Sequence, residues 1–263
     1  MIAALAKGAQ VLNNPAYSQA AENAVQFILN NLVRSDGRLL ARYRDGEAAY
    51  PAYVDDYAFL VWGLIELYEA TFNVYYLQTA LRFNADLLKL FGDENGGLFM
   101  YGKDSEQLLA RPKEVYDGAI PSGNSVAALN FLRLARVTGK PELAETADQL
   151  FKAFAGNINP YPAGYTFMLS ALWFALSPGK EIVIAGDTTD ATTQQMLAAV
   201  REHYLPDSVV LLNTPELAEL VPAIAGQTPQ NGRPTTYICE GYACQAPITN
   251  IADLRHHLVS GLN

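Results

Sequence analysis

Cysteine is nearly absent from this 263-residue sequence, which contains only Cys239 and Cys244. Two cysteines are too few for a disulfide framework or for a four-ligand zinc site within the chain. Four residues separate them, which is not the spacing of a Cys-x-x-Cys redox motif. We therefore expect two structural thiols, and the alternative is a redox or metal contact that another molecule completes.

Basic residues are also scarce, and they do not cluster. The chain has 18 lysines and arginines against 27 acidic residues, for a net charge of -9, and no basic group suited to the phosphates of a nucleic acid. Polar residues or glycine interrupt its apolar runs before they reach the roughly 20 residues of a membrane span. No signal-peptide pattern is present at the N-terminus. We expect a cytoplasmic protein with no nucleic-acid or membrane partner.

Half of the residues are hydrophobic, and many of them recur at helical spacing. The stretch Tyr50–Tyr68 predicts a helix, from Asp55 onward, that is apolar on nearly every face and must be surrounded by other helices. Residues 21–32, 77–91 and 143–154 instead carry a single apolar stripe, which is typical of a helix on the outside of an array. Inner helices of the first kind and outer helices of the second kind alternate along the chain.

The connections between these helices alternate as well. Short turns are followed by long loops, and Ser35–Tyr43 and Asp93–Tyr101 share a turn, a glycine and a predicted β arm that ends in tyrosine. Stacked helical hairpins bury both kinds of helix most simply. The sequence therefore predicts a mainly α fold, with a partial (α/α)6 toroid of helical hairpins over residues 1–176.

The pattern changes after this region and predicts a small α/β unit over residues 177–263. Strands are expected at 181–185, 208–212 and 234–239, with helices at 189–203 and 251–259. Gly186-Asp187-Thr188-Thr189 follows the first strand but lacks the G-x-G-x-x-G and G-K-[ST] patterns of nucleotide sites. We expect no cofactor and no metal site.

Three motifs carry a resemblance to a known family. They are Tyr53-Val54-Asp55-Asp56-Tyr57-Ala58, Asp117-Gly118-Ala119-Ile120-Pro121-Ser122-Gly123-Asn124-Ser125 and Cys239-Glu240-Gly241-Tyr242-Ala243-Cys244-Gln245-Ala246-Pro247-Ile248-Thr249. With them, essentially the whole chain resembles the spermatogenesis-associated protein 20 family, the YyaL-type thioredoxin-domain-containing proteins.

The resemblance implies a fold more than an activity. It implies a six-hairpin, glycosidase-like barrel similar to N-acylglucosamine 2-epimerases, preceded in full-length members by a thioredoxin-like domain that this sequence does not contain. The family has no agreed activity. His203, His256 and His257 all lie in the tail, so the helical part has no histidines for the acid/base pair of the epimerase relatives. Epimerisation is disfavoured from these residues alone.

Carboxylates and aromatic residues gather where the long loops enter the inner helices, at what we call the rim. Asp55, Asp56 and Asp117 are the candidate catalytic residues. Asp55 is alternatively an N-cap and Asp56 a partner of the helix dipole, and adjacent helical residues point about 100° apart, so at most one of the two faces a cleft. The candidate substrate-binding residues are Tyr43, Glu47, Tyr57, Tyr101, Asn124 and Tyr161.

Two functions from different classes fit this rim. The first is carbohydrate binding or processing, because aromatic rings stack on sugars and glycoside hydrolysis uses paired carboxylates. The second is a non-catalytic interaction scaffold that partners a thioredoxin-like domain, with loop carboxylates that are only solvated and aromatic residues that pack the loops.

The predicted toroid is open. A closed six-hairpin toroid needs twelve helices, whereas residues 1–176 predict seven, so inner helices would expose apolar surface. We expect a fragment of a longer protein, or self-association through the first helix around Ile2, Leu5 and Ala9. The alternative is that the first helix and the α/β tail cover the opening.

Overall fold

The structure is a computed structural model that describes residues 1–106, 109–241 and 243–260. It divides into two compact units. The first comprises Met1–Leu134 and Pro141–Ala175, and the second comprises Ala135–Lys140 and the chain from Leu176 onward. The assignment of two domains at 1–176 and 177–263 stays a prediction.

Seven helices and one β-hairpin make up the described part of the chain as far as Leu176. They are α1 (Ile2–Leu12), α2 (Pro15–Asn31), β1 (Leu40–Arg44), β2 (Glu47–Pro51), α3 (Val54–Thr71), α4 (Val74–Phe91), α5 (Gly123–Thr138), α6 (Pro141–Ile158) and α7 (Thr166–Leu176). Asn14 and Asn73 cap α2 and α4 by accepting the backbone N–H groups of Ala16 and Tyr75. Asparagine is among the residues most favoured at a helix N-cap, so the sequence alone predicts the cap at Asn73, and the structure confirms it.

Helix α3 is the central element of this unit. Twelve of its 18 residues are buried, and it packs against α1, α2 and α4. Asn130 of α5 adds a hydrogen bond of 2.8 Å to the carbonyl of Ala58. A Cβ at Gly63 would lie 3.1 Å from Ile2 Cγ2, so the missing side chain lets α1 approach closely. The predicted fold class is confirmed: a mainly α protein with a partial α/α toroid of helical hairpins, followed by a small α/β unit.

A largely buried cluster of charges joins the helices α1, α3 and α5. Arg133 of α5 contacts Glu66 and Glu69 of α3 at 2.6 and 2.8 Å, and Lys7 of α1 contacts Glu66 at 2.9 Å. Glu66, Glu69 and Arg133 are each less than 10% exposed. Burial alone raises the pKa of Glu66, but the charges of Arg133 and Lys7 outweigh it and lower that pKa to about 2. The prediction of an inner helix that is apolar on nearly every face missed this ion cluster.

Arg38 fastens the loops of the rim to α3. Its buried guanidinium donates to both carboxylate oxygens of Asp104 at 2.8 and 3.3 Å and to the carbonyl of Ala52 at 3.0 Å. It also donates to the carbonyl of Leu39 and to the hydroxyl of Tyr57, each at 3.2 Å. One side chain thus connects the hairpin, the start of α3 and a distant loop.

Two predictions at the rim are wrong. Asp93–Tyr101 contains a single bridge, between Gly92 and Leu98, and no β arm, because the side chain of Asn124 takes both backbone hydrogen bonds of Leu98. Asp55 is not the N-cap of its helix, since Tyr53 is the N-cap and Asp55 lies in the first turn.

The second unit contains a four-stranded sheet in the order β4-β3-β5-β6. Strands β3 (Glu181–Ala185) and β4 (Val209–Asn213) are parallel, and β5 (Thr235–Glu240) and β6 (Ala243–Cys244) extend the sheet in antiparallel pairs. Its described residues also form three α-helices: α8 (Ala191–Arg201), α9 (Pro215–Leu220) and α10 (Ile251–Ser260). The sequence predicted three strands and two of the helices, and it missed β6 and α9.

The expectation of two unpaired thiols is also wrong. Cys239 of β5 and Cys244 of β6 form a disulfide. They lie directly opposite each other in the antiparallel register, where facing side chains come closest.

None of the described helices combines the length and apolar character that crossing a membrane requires.

We predict that Arg133→Met lowers the free energy of unfolding by about 3–5 kcal/mol, because it leaves two buried carboxylates without their main counter-charge. Lys152→Met is the matched control, since it removes an exposed ion pair with Asp148 and should cost less than about 1 kcal/mol. Urea unfolding measures both. Equal losses in the two variants would contradict a stabilising ion cluster.

The lowered pKa of Glu66 predicts a pH dependence. Its stabilisation is complete above the ordinary carboxyl pKa of 4.5 and is lost as the pH falls towards 2. The difference in unfolding free energy between the parent and Glu66→Gln should therefore shrink by about 3 kcal/mol between pH 5 and pH 2. Glu145→Gln, at an exposed position of α6, controls for general acid unfolding. A difference for Glu66→Gln that stays constant over this range would refute the assignment.

Candidate functional site

Asp117, one of the three candidate catalytic residues, is engaged by backbone groups. Its Oδ1 accepts the N–H of Ser122 at 2.9 Å, and its Oδ2 accepts the N–H groups of Phe167 and Met168 at 2.8 and 3.0 Å. The last two belong to the first turn of α7, where helical N–H groups have no partner within the helix. Asp117 therefore caps α7 from a loop 50 residues earlier in the chain.

Two of the candidate binding residues are buried and hydrogen-bonded within the protein. The amide of Asn124 holds the backbone of Leu98 at 2.8 and 2.9 Å and the carbonyl of Glu114 at 2.7 Å. The hydroxyl of Tyr57 accepts the N–H of Leu39 at 3.1 Å and a guanidinium hydrogen from Arg38. Both residues are fully shielded from solvent. Asn124 and Tyr57 therefore anchor loops of the rim.

Asp55 and Asp56 point to different surroundings, as adjacent helical residues must. Burial raises the pKa of Asp55, the backbone N–H of Gly123 partly offsets this, and the charge of Glu114 adds to it. Gly123 is the first residue of α5, and a Cβ there would collide with the Asp55 carboxylate. Asp55 therefore contacts the N-terminus of the neighbouring inner helix.

Asp56 accepts the backbone N–H of Tyr53 at 2.8 Å and so caps its own helix. Burial raises its pKa, the hydrogen bond from Tyr53 lowers it, and the nearby Asp55 raises it further. Asp56 is also the one candidate catalytic residue among those that line the large cavity described below.

The remaining rim candidates are distributed around the loops. The ring of Tyr101 packs edge-on against Tyr53 at 5.5 Å, and that of Tyr43 packs against Phe27 at 5.2 Å. Tyr161 lies next to Gly164 and is more than half exposed. Glu47 is exposed at the start of β2. Their roles in substrate binding stay predictions.

A cavity of about 930 Å³ lies between α1, α2 and α3. Its aromatic lining consists of Phe27, Phe59 and Trp62, and its polar lining of Lys7, Asp56 and Glu66. Trp62 donates its indole N–H to Glu66 at 3.2 Å and packs against Phe167 at 5.2 Å. The cavity thus combines an apolar surface with charged groups, of which Lys7 and Glu66 belong to the ion cluster.

Four residues of the lining were not predicted from the sequence as site residues: Lys7, Phe59, Trp62 and Glu66. The signal was present in the spacing, because Asp56, Phe59, Trp62 and Glu66 follow one another at intervals of three or four residues and so share one helical face. The high apolar content of α3 obscured it.

This arrangement suits binding better than glycoside hydrolysis. Asp56 and Glu66 are ten residues apart on one helix, which corresponds to about 15 Å of rise, whereas glycosidases place their two carboxyl groups roughly 5–9.5 Å apart. Among the described residues, no cluster of three histidine, cysteine or carboxylate side chains is placed to hold a metal ion.

Comparison with solved structures finds a cellobiose 2-epimerase from Bacillus thermoamylovorans B4167, which is 21% identical in sequence. The match covers 58% of this chain and 42% of the epimerase, with a TM-score of 0.47.

Comparison with curated sequences identifies relatives along nearly the whole chain, although no family model matches it. Spermatogenesis-associated protein 20 of Rattus norvegicus is 32% identical over 270 residues, and that of Homo sapiens is 31% identical over the same length. Each match covers 97% of this chain and 34% of the relative, so the chain spans about a third of their length. The resemblance predicted from its motifs is confirmed: the chain is a homologue of spermatogenesis-associated protein 20.

Proposed function

We propose that the first unit binds a carbohydrate in the cavity between α1, α2 and α3. The observation that carries the proposal is the fixed orientation of Trp62, whose indole N–H is bound by Glu66 while Arg133 and Lys7 hold that carboxylate. An aromatic ring with a fixed orientation offers the apolar C–H face of a sugar a flat surface without further loss of side-chain freedom.

The polar groups of the cavity complement sugar hydroxyls. Asp56 lines it with a pKa that burial raises, and Glu66 lines it as an ionised carboxylate. Carboxylates accept hydrogen bonds from hydroxyl groups, and Lys7 donates them. Phe27 and Phe59 add further apolar surface. A ligand with one apolar face and a polar periphery fits this lining, and saccharides have that character.

The proposal is one of binding without hydrolysis. Asp55 and Asp117 accept backbone N–H groups at the N-termini of α5 and α7. Asp56 and Glu66 are too far apart along α3 to flank one glycosidic bond. Tyr43 packs edge-on against Phe27, which lines this site. We place the sugar along α3, below the rim.

The second candidate function is a non-catalytic scaffold that partners a thioredoxin-like domain. The observation that favours it is that the side chains of Asp117, Asn124 and Tyr57 form hydrogen bonds with backbone groups of the protein itself. Self-association through Ile2, Leu5 and Ala9 belongs to the same hypothesis and stays a prediction. The scaffold hypothesis expects no saccharide to bind, so one titration separates the two functions.

We predict that isothermal titration with a panel of mono- and disaccharides identifies at least one ligand and that Trp62→Ala weakens its binding by at least about tenfold, since a stacked aromatic ring contributes on the order of 1.5 kcal/mol or more. Trp62→Phe, which keeps a ring, should retain most of the affinity. Trp173→Ala is the matched control, because it removes the other, half-exposed tryptophan. If no saccharide binds, the scaffold is the better account. If a saccharide binds and both alanine variants bind it like the parent, the ligand does not occupy the proposed cavity.

Asp117→Asn tests the difference between a capping and a catalytic carboxylate. We predict a loss of about 1–2 kcal/mol in unfolding free energy, because the amide replaces a charged acceptor of three backbone N–H groups. Saccharide affinity should change less than about twofold. Asp148→Asn, at an exposed site on α6, controls for the change of charge. A variant as stable as the parent that no longer binds its saccharide would place Asp117 in the binding site.

A further inference from the structure

We propose that the Cys239–Cys244 disulfide is a thiol–disulfide exchange site whose substrate is an external dithiol. In this exchange Cys244 is the sulfur that is attacked and Cys239 is the leaving group. The proposal concerns the second unit and does not depend on carbohydrate binding by the first.

The two sulfur-bearing residues differ sharply in access. Cys239 is 5% exposed within β5, whereas Cys244 lies in the exposed strand β6. The rate of exchange depends on which sulfur an incoming thiolate can reach. A dithiol in solution can therefore attack Cys244 while the strand shields Cys239.

The position of β6 permits the intermediate. It comprises only Ala243 and Cys244, and it lies at an edge of the described sheet, paired with β5. A mixed disulfide requires Cys244 to move away from Cys239, and a two-residue edge strand gives up few hydrogen bonds when it does so. The β4–β3 and β3–β5 pairs do not include β6, so the exchange does not require them to open.

Gln227 supplies a polar group next to the disulfide. Its Nε2 lies 3.6 Å from the sulfur of Cys239 and 3.8 Å from that of Cys244. An N–H donor stabilises a thiolate more than a disulfide sulfur, because the thiolate carries a full charge. Gln227 is thus placed to stabilise the charge that develops on Cys239 as the bond breaks.

The exchange proceeds in two balanced steps. A thiolate of the dithiol attacks Sγ of Cys244, the S–S bond breaks, and its electron pair moves to Sγ of Cys239, which leaves a mixed disulfide on Cys244. The second thiolate of the dithiol then attacks the first dithiol sulfur, which is bonded to Cys244 in that mixed disulfide. This bond breaks, and Cys244 leaves as a thiolate. The dithiol is oxidised to a cyclic disulfide, and the chain gains two electrons and two protons.

The test uses dithiothreitol as the dithiol and the full chain in native buffer, with alkylation and mass spectrometry as the readout. We expect reduction without denaturant, and Gln227→Met should slow it at least about threefold. Gln245→Met is the matched control, because it removes an exposed amide next to Cys244 and should react within about twofold of the parent. A disulfide that is reduced only after unfolding would overturn the proposal. Equal rates of reduction in the two variants would show that Gln227 does not stabilise the leaving thiolate.

Single-cysteine variants test the direction of attack. Cys239→Ser leaves the exposed thiol of Cys244, and Cys244→Ser leaves the buried thiol of Cys239. With glutathione disulfide as the probe, the Cys244 thiol should form a mixed disulfide at least about tenfold faster, since access limits the reaction. Near-UV circular dichroism confirms that both variants are folded. If the Cys239 thiol reacts as fast or faster, the assignment of the attacked sulfur is wrong.

Discussion

The contacts of Arg133 with Glu66 and Glu69 are the interaction on which the first unit depends. They lie inside an otherwise apolar helix packing, where an isolated carboxylate would carry a large desolvation cost. Lys7 brings the charge of α1 to the same point. Because each charged group needs its partners, the relative positions of α1, α3 and α5 are determined more narrowly than apolar packing alone would determine them.

This constraint extends from the fold to the candidate site. Glu66 lies at once in the ion cluster and in the cavity wall, and it binds the indole of Trp62. The groups that fix the inner helices therefore also fix the aromatic surface on which the proposed ligand rests. A binding site built on rigid helices is more precise than one built on loops.

The residues of the rim meet a different structural requirement. Its long loops must be anchored to the ends of inner helices, and those ends present backbone N–H groups that need acceptors. Asp55 and Asp117 meet that need at α5 and α7, and Asn124 does the same for the loop at Leu98. Residues of the types that catalyse glycoside hydrolysis thus gather at the rim for a structural reason, which is why their presence in the sequence is weak evidence of catalysis.

Sequence patterns predicted those features of the structure that depend on residues close together in the chain. The apolar spacing of α3, the cap at Asn73 and the buried strand β3 depend on neighbours within one or two turns, so the sequence revealed them. The partners of Asp117 and Glu66 depend on how distant segments meet. Phe167 is 50 residues from Asp117, and Arg133 is 67 residues from Glu66. The pairing of Cys239 with Cys244 required β6, a strand too short to leave a periodic signal.

The most direct test of this account is the coupling free energy between Glu66 and Arg133, measured by a double-mutant cycle with Glu66→Gln, Arg133→Met and the double variant in urea unfolding. A buried ion pair that sets the positions of the inner helices predicts a coupling of about 2 kcal/mol or more, with the double variant more stable than the sum of the single losses implies. Losses that add within about 0.5 kcal/mol would contradict the account, because they would show that the two residues act independently.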